Sequence, residues 1–173
     1  MPQPQGDELD AIRKRRGELR DRYLRTGAAQ PHTPTRGFHH VALICKDVEE
    51  TIKFYQEFLG CPLVELLENR DYAGSSHFFF DMGNRNLLGF FDFPGHDHPD
   101  FMETIGAVQH IALSTPAENF AAIKAKLDAA GIDYLGPDRG VEDSMYLRDP
   151  NGVGIEFYRE ELGLFAGKPL LGD

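Results

Sequence analysis

"GFHHVALICKDVEETIKFYQEFLG", Gly37 to Gly60, places two adjacent histidines on a segment that alternates like a β-strand. An acidic turn and a run of helical spacing follow it. Strand side chains alternate between faces, so Phe38, His40, Ala42 and Ile44 share one face and His39, Val41 and Leu43 the other. By that rule His39 points away from His40. A second stretch repeats the pattern: "VQHIALSTPAENFAAIKAKLDAAGIDYLG" begins at Val108 and puts His110 where the first has His40, 70 residues earlier. Each histidine is followed by one apolar residue and then Ala-Leu.

The repeat extends further. Apolar residues recur at helical spacing in both segments: Ile52, Tyr55, Phe58 and Leu59 in one, and Phe120, Ile123 and Leu127 in the other. Each half then ends in strand-like runs, "SSHFFFDMGNRNLLGFFDF" and "DSMYLRDPNGVGIEFYRE". Turn signals at Gly83-Asn84 and at Asp149-Pro150-Asn151-Gly152 break them. Each half thus reads β-α-β-β-β. The expected organisation is an N-terminal helical extension and linker (1–36), a first module (37–94), a connecting loop (95–106), a second module (107–160) and a C-terminal tail (161–173). The expected fold class is α+β, built from two βαβββ modules with the helices outside.

If the modules pair by pseudo-symmetry, His40 and His110 converge. Glu156, between Ile155 and Phe157 in a strand, is costly to bury without a partner. A metal ion removes that cost. Two neutral imidazoles and one carboxylate form a facial ligand set that leaves positions open for substrate or water.

On "HHVALICKDVEETIKFY", "QHIALS" and "YLRDPNGVGIEFY", the chain resembles the vicinal oxygen chelate superfamily, the glyoxalase, bleomycin-resistance protein and extradiol dioxygenase group. The likeness covers about 38–160 and implies that the two βαβββ modules form a curved mixed sheet around a metal-centred cavity. It implies His40, His110 and Glu156 as metal ligands. A fourth ligand of the glyoxalase I kind would fall at Gly89 or Leu88, and neither side chain binds metal. The resemblance also implies a functional hydroxyl at Tyr146, ten residues before Glu156, and an acid/base histidine ahead of the second module, His96 or His98. Members that act on fosfomycin have Thr two residues after the first histidine; this chain has Ala42.

The implied function is a metal-dependent enzyme with a two-His, one-Glu site, extradiol-dioxygenase-like, acting on a small substrate with vicinal oxygens. The alternatives are a glyoxalase-like lyase or epimerase, and a non-catalytic binding protein of the bleomycin-resistance type. The implied cofactor is a divalent ion, Fe2+ or Mn2+ first, with Zn2+ or Ni2+ as the other options. The sequence leaves open whether the site is built within one chain or across a dimer by module exchange; a homodimer is expected. Phe78, Phe79, Phe80, Phe90, Phe91 and Phe93 read as core residues that also offer an apolar cavity wall.

Bulk properties narrow the partners. Net charge is −10 over 173 residues, with 8 Lys/Arg and 5 Asp/Glu in residues 1–37 and 10 against 23 in the rest. An acidic body disfavours nucleic acid, whose phosphates require accumulated cations. No apolar run is long enough to span a bilayer, so no membrane partner is expected. The N-terminus lacks the apolar core of a signal peptide, so the expected location is cytoplasmic. Cys45 and Cys61 read as packing residues. Asp7 to Arg25 reads as a helix capped by Asp7 with a Glu18–Arg22 pair, and 28–37 as an extended linker.

Overall fold

A computed structural model describes residues 3–26, 29–137 and 143–171. They divide into two units, 1–34 with 163–173, and 35–162. The first holds helix α1 (Gly6–Tyr23) and a short antiparallel pair, β8 (Leu164–Phe165) with β9 (Lys168–Pro169). No residue of α1 is buried. Asp7 lies in its first turn rather than capping it, where it complements the helix dipole. Glu18 pairs with Arg15, one turn back, at 3.4 Å rather than with Arg22. Among the described residues no helix is long and apolar enough to cross a membrane.

The second unit carries both modules. In the first, β1 (His40–Ile44) leads to α2 (Val48–Ile52), followed by β2 (Leu63–Glu68), β3 (Ser76–Asp81) and β4 (Leu87–Phe91). Asp47 caps α2 by accepting the Glu50 N–H at 2.7 Å. The helix then widens into a π-helical stretch, Lys53–Phe58. In the second module, β5 (His110–Ser114) leads to α3 (Ala117–Ala130), which ends on Gly131 in the left-handed region, and then to β6 (Ser144–Arg148) and β7 (Gly154–Tyr158). The remaining strand expected here is a single bridge, Leu135 to Tyr146; residues 138–142 lie outside the described range.

The sheets are mixed, ordered β1-β4-β3-β2 and β5-β7-β6. β1 runs parallel to β4, and β5 to β7; the other pairs are antiparallel. Each sheet packs one face on its helices. Phe78, Phe80, Leu88 and Phe90 are buried with Tyr55 of the π-helical stretch. Met145, Leu147, Ile155 and Phe157 are buried with Phe120 and Leu127 of α3 in the same cluster. Each such large side chain stabilises the fold by about 1.5–3 kcal/mol. The opposite faces lie open: His40, Ala42 and Ile44 are exposed on β1, and His110, Ala112 and Ser114 on β5.

A buried polar joint ties the modules. The Asp149 carboxylate accepts the Tyr55 hydroxyl at 3.1 Å and the N–H groups of Asn151 and Val153 at 2.9 and 2.8 Å. The Asn151 amide oxygen accepts the Lys46 N–H at 2.9 Å, and its nitrogen donates to Thr51 Oγ1 at 3.3 Å. The Asp-Pro-Asn-Gly turn is therefore a cross-link as well as a reversal.

Candidate metal centre

The two registers superpose. His40 pairs with Leu87 and Ala42 with Gly89; His110 pairs with Gly154 and Ala112 with Glu156. Gly89 is thus the counterpart of Glu156, which settles it over Leu88. Phe79, opposite Gly89, is the counterpart of Tyr146, opposite Glu156.

On the second sheet His110 Nε2 lies 3.1 Å from Glu156 Oε2, and the Glu156 side chain is only 8% exposed. Tyr146 donates its hydroxyl to the other carboxylate oxygen, Oε1, in a very short contact. A cavity of about 700 Å³ opens beside them, lined also by Gln109, Arg148 and Tyr134. The His110 ring is held from behind: its Nδ1 meets Gln109 Oε1.

His40 stands on the other sheet. Its Nδ1 is 2.9 Å from His39 Nδ1, and its ring meets Phe79 edge-on at 5.5 Å. The contact with His39 corrects the alternation reading: His39 stands just ahead of β1, which begins at His40, and although its carbonyl already accepts the Leu87 N–H at 3.2 Å its ring turns onto that of His40. Among the described residues no three His, Cys, Asp or Glu side chains are grouped to hold one ion. Within a single chain, His110 and Glu156 therefore meet and His40 does not join them.

The open face of the first sheet is aromatic. His77 stacks on Phe91 with ring centres 3.8 Å apart and lies 4.2 Å from Phe79; Phe91 stacks on Phe93 at 6.1 Å. A Cβ at Gly89 would lie 2.9 Å from the Phe79 ring and 3.5 Å from His77 Nε2, so the missing side chain is what admits both rings. Among the described residues His77 Nε2 is buried without a hydrogen-bond partner. Burial, and after it the charge of His40, holds His77 below the usual histidine range. The six phenylalanines of the two runs thus divide: Phe78, Phe80 and Phe90 are core, and Phe79, Phe91 and Phe93 form this wall.

His96 and His98 lie exposed in the connecting loop, their rings 6.2 Å apart. His96 Nε2 is 2.9 Å from the Tyr72 hydroxyl. His98 instead lines a cavity of about 350 Å³ with Ala42 and Ile44, on the β1 face that carries His40. The loop is pinned by Lys46–Asp100 at 2.6 Å and Arg148–Glu103 at 3.2 Å.

The sequence reading passed over Gln109 and turned His39 away from His40; the structure puts both beside the candidate ligands. The signal for both was the repeat itself, which puts a side chain able to bond an imidazole just before each histidine.

Comparison with known proteins places this geometry in a family. The model of the glyoxalase/bleomycin resistance protein/dioxygenase superfamily matches residues 37–157. MhqE of Bacillus subtilis, named as a ring-cleaving dioxygenase, is 33% identical over 105 residues, 57% of this chain and 33% of its own length. Glyoxylase I 4 of Arabidopsis thaliana is 27% identical over 68% of this chain and 67% of its own. The chain therefore spans about a third of MhqE and two thirds of the plant protein. A crystal structure named as a dioxygenase of Bacillus subtilis aligns with TM-score 0.63 and 26% identity over 75% of this chain and 42% of its own. A variant of the fosfomycin resistance protein FosX of Listeria monocytogenes, complexed with Mn(II), aligns with TM-score 0.56 and 20% identity over 74% and 95%, a likeness of fold. With its duplicated strand–helix–strand register and a family model covering most of its length, the chain belongs to the glyoxalase/bleomycin resistance protein/dioxygenase superfamily.

Proposed function

We propose that this chain is a metal-dependent, ring-cleaving dioxygenase of the extradiol type, with one divalent ion held by His40, His110 and Glu156. The observation that carries the reading is the His110–Glu156 pair, with nitrogen and oxygen 3.1 Å apart and the carboxylate buried. Bonds of about 2.1 Å meeting at a right angle hold two donors about 3 Å apart, so the pair fits adjacent positions on one first-row ion. His40 comes from a second copy of the chain: its open sheet face is laid against the partner's His110–Glu156 face. The assembly is accordingly a homodimer.

Nitrogen and carboxylate donors fit Fe2+ or Mn2+ first, with Zn2+ or Ni2+ also compatible. When bound, such an ion supplies Lewis-acid stabilisation of negative charge on vicinal substrate oxygens. The chain's own residues do the rest. Phe79, His77 and Phe91 offer an aromatic wall against which a planar ring packs and from which water is excluded. Tyr146 donates to the Glu156 carboxylate and so orients it, and its phenol oxygen can accept from a substrate hydroxyl. His98, on the same side as His40, is better placed than His96 to accept a proton from the substrate hydroxyl. The relatives named as ring-cleaving support this reaction over the others. The relative named as a glyoxylase makes a lyase or epimerase the second reading, although Gly89 cannot supply a fourth ligand.

The test is elemental analysis of protein purified without chelator, followed by oxygen uptake with a panel of catechols. About one iron or manganese per chain with sustained uptake is expected. Zinc or nickel without uptake favours the lyase or epimerase. Protein that takes up no metal even after reconstitution leaves only ligand binding.

A further inference from the structure

Both candidate ligand histidines are gripped at Nδ1 by the residue before them. Gln109 Oε1 meets His110 Nδ1, and His39 Nδ1 lies 2.9 Å from His40 Nδ1. β5 begins at His110 and β1 at His40. Residues 109 and 39 thus precede the pleat, and each side chain reaches back onto its neighbour's ring. The same device occurs in both modules with different chemistry, an amide in one and an imidazole in the other.

An amide oxygen only accepts, so the proton of a neutral His110 belongs on Nδ1. Its Nε2 then directs a lone pair at Glu156 Oε2, 3.1 Å away. Two electron-rich atoms at that distance repel unless a cation lies between them. We propose that Gln109 and His39 are positioning residues that fix His110 and His40 in the tautomer protonated at Nδ1 and so present both Nε2 atoms as metal donors. In the first module His39 accepts at Nδ1 and carries its own proton on Nε2. The inference rests on reading His40 and His110 as ligands.

The competing arrangement is definite. A Gln109 amide turned by 180° donates to Nδ1, and His110 then gives an Nε2 proton to Glu156. Nitrogen-15 spectroscopy of the imidazoles in the metal-free full chain separates the two. The wild-type protein is expected to carry the His110 proton on Nδ1. Gln109→Leu moves it to Nε2, and Gln109→Glu, which keeps an acceptor, holds it on Nδ1. In titrations with Mn(II) alone, Gln109→Leu and His39→Leu each weaken binding by about 10–100-fold, whereas Gln109→Glu binds within a few-fold of wild type. A wild-type His110 protonated at Nε2 overturns the proposal. So does a Gln109→Leu protein whose tautomer and Mn(II) affinity match wild type. Because the tautomer is read without metal, a wild-type chain that binds no Mn(II) overturns the ligand assignment separately. The spectra still decide whether Gln109 orients His110.

Discussion

Gly154 lies directly opposite His110 in the β5–β7 register, and a methyl group there would sit 2.9 Å from the Gln109 carbonyl oxygen and 3.0 Å from the His110 Cβ. Its backbone is in an ordinary region, so the requirement is steric. Gly154→Ala is expected to destabilise the protein by about 1–3 kcal/mol by overpacking and to displace the imidazole from Glu156. Thermal unfolding and Mn(II) titration check this: a lower Tm with weakened binding is the expected result, and wild-type binding would show that His110 is not held to this geometry. The contact at Gly89 differs, because the atom met at 2.9 Å belongs to the Phe79 ring and a ring can swing aside. At this scale the equivalent strand positions of His40 and His110 and the place of Glu156 in the closing strand were legible, because a repeat of 70 residues and a carboxylate among apolar neighbours are properties of the sequence. Gln109 and His39 were not. Alternation sends the preceding residue to the other face, and only the strand's starting point shows that the rule does not yet apply.

The order of elements in the first module follows from its pattern, but the π-helical widening over Lys53–Phe58 does not. Apolar spacing cannot register one extra residue per turn. Its consequence is the placement of Tyr55, fully buried against Phe80 and Phe90 with its hydroxyl on Asp149. Burial, then the Asp149 charge, pushes the Tyr55 phenol far above its usual range. Burial likewise pushes the Cys45 thiol up to about 11 from an ordinary 9.0. Both groups are neutral when folded and ionise more readily when unfolded. Their contribution is therefore complete below the unfolded pKa values and is lost as pH rises toward the folded ones. Denaturant unfolding followed from pH 7 to 11 should show stability falling from about pH 9 upward, with Cys45→Ala removing part of the slope. A flat profile would mean that neither group is sequestered. The second module was less legible: one expected strand is a single bridge at Leu135, since Gly136-Pro137 interrupts the run where pairing would continue.

Across the unit formed by residues 35–162, each sheet has one face packed in the core and one left open, and the chemistry lies on the open faces. The first carries His40 and an aromatic wall; the second carries His110, Glu156 and Tyr146. Nothing in an amino-acid sequence distinguishes modules that close on each other from modules that close on a second copy. Both use the same alternation, and that is why the sequence left the choice open. Separation of His40 from the His110–Glu156 pair within one chain favours the second arrangement, in which a two-fold dimer holds two identical sites. Mixing two inactive chains tests this most directly. His40→Ala and His110→Ala each break every site in their own dimers, but a mixed dimer pairs one intact His40 with one intact His110 and Glu156. Refolded together in equal amounts, the two variants should recover about a quarter of the wild-type Mn(II) content, and each alone should bind none. A mixture that binds no metal while wild type binds one ion per chain would contradict a site shared between two copies.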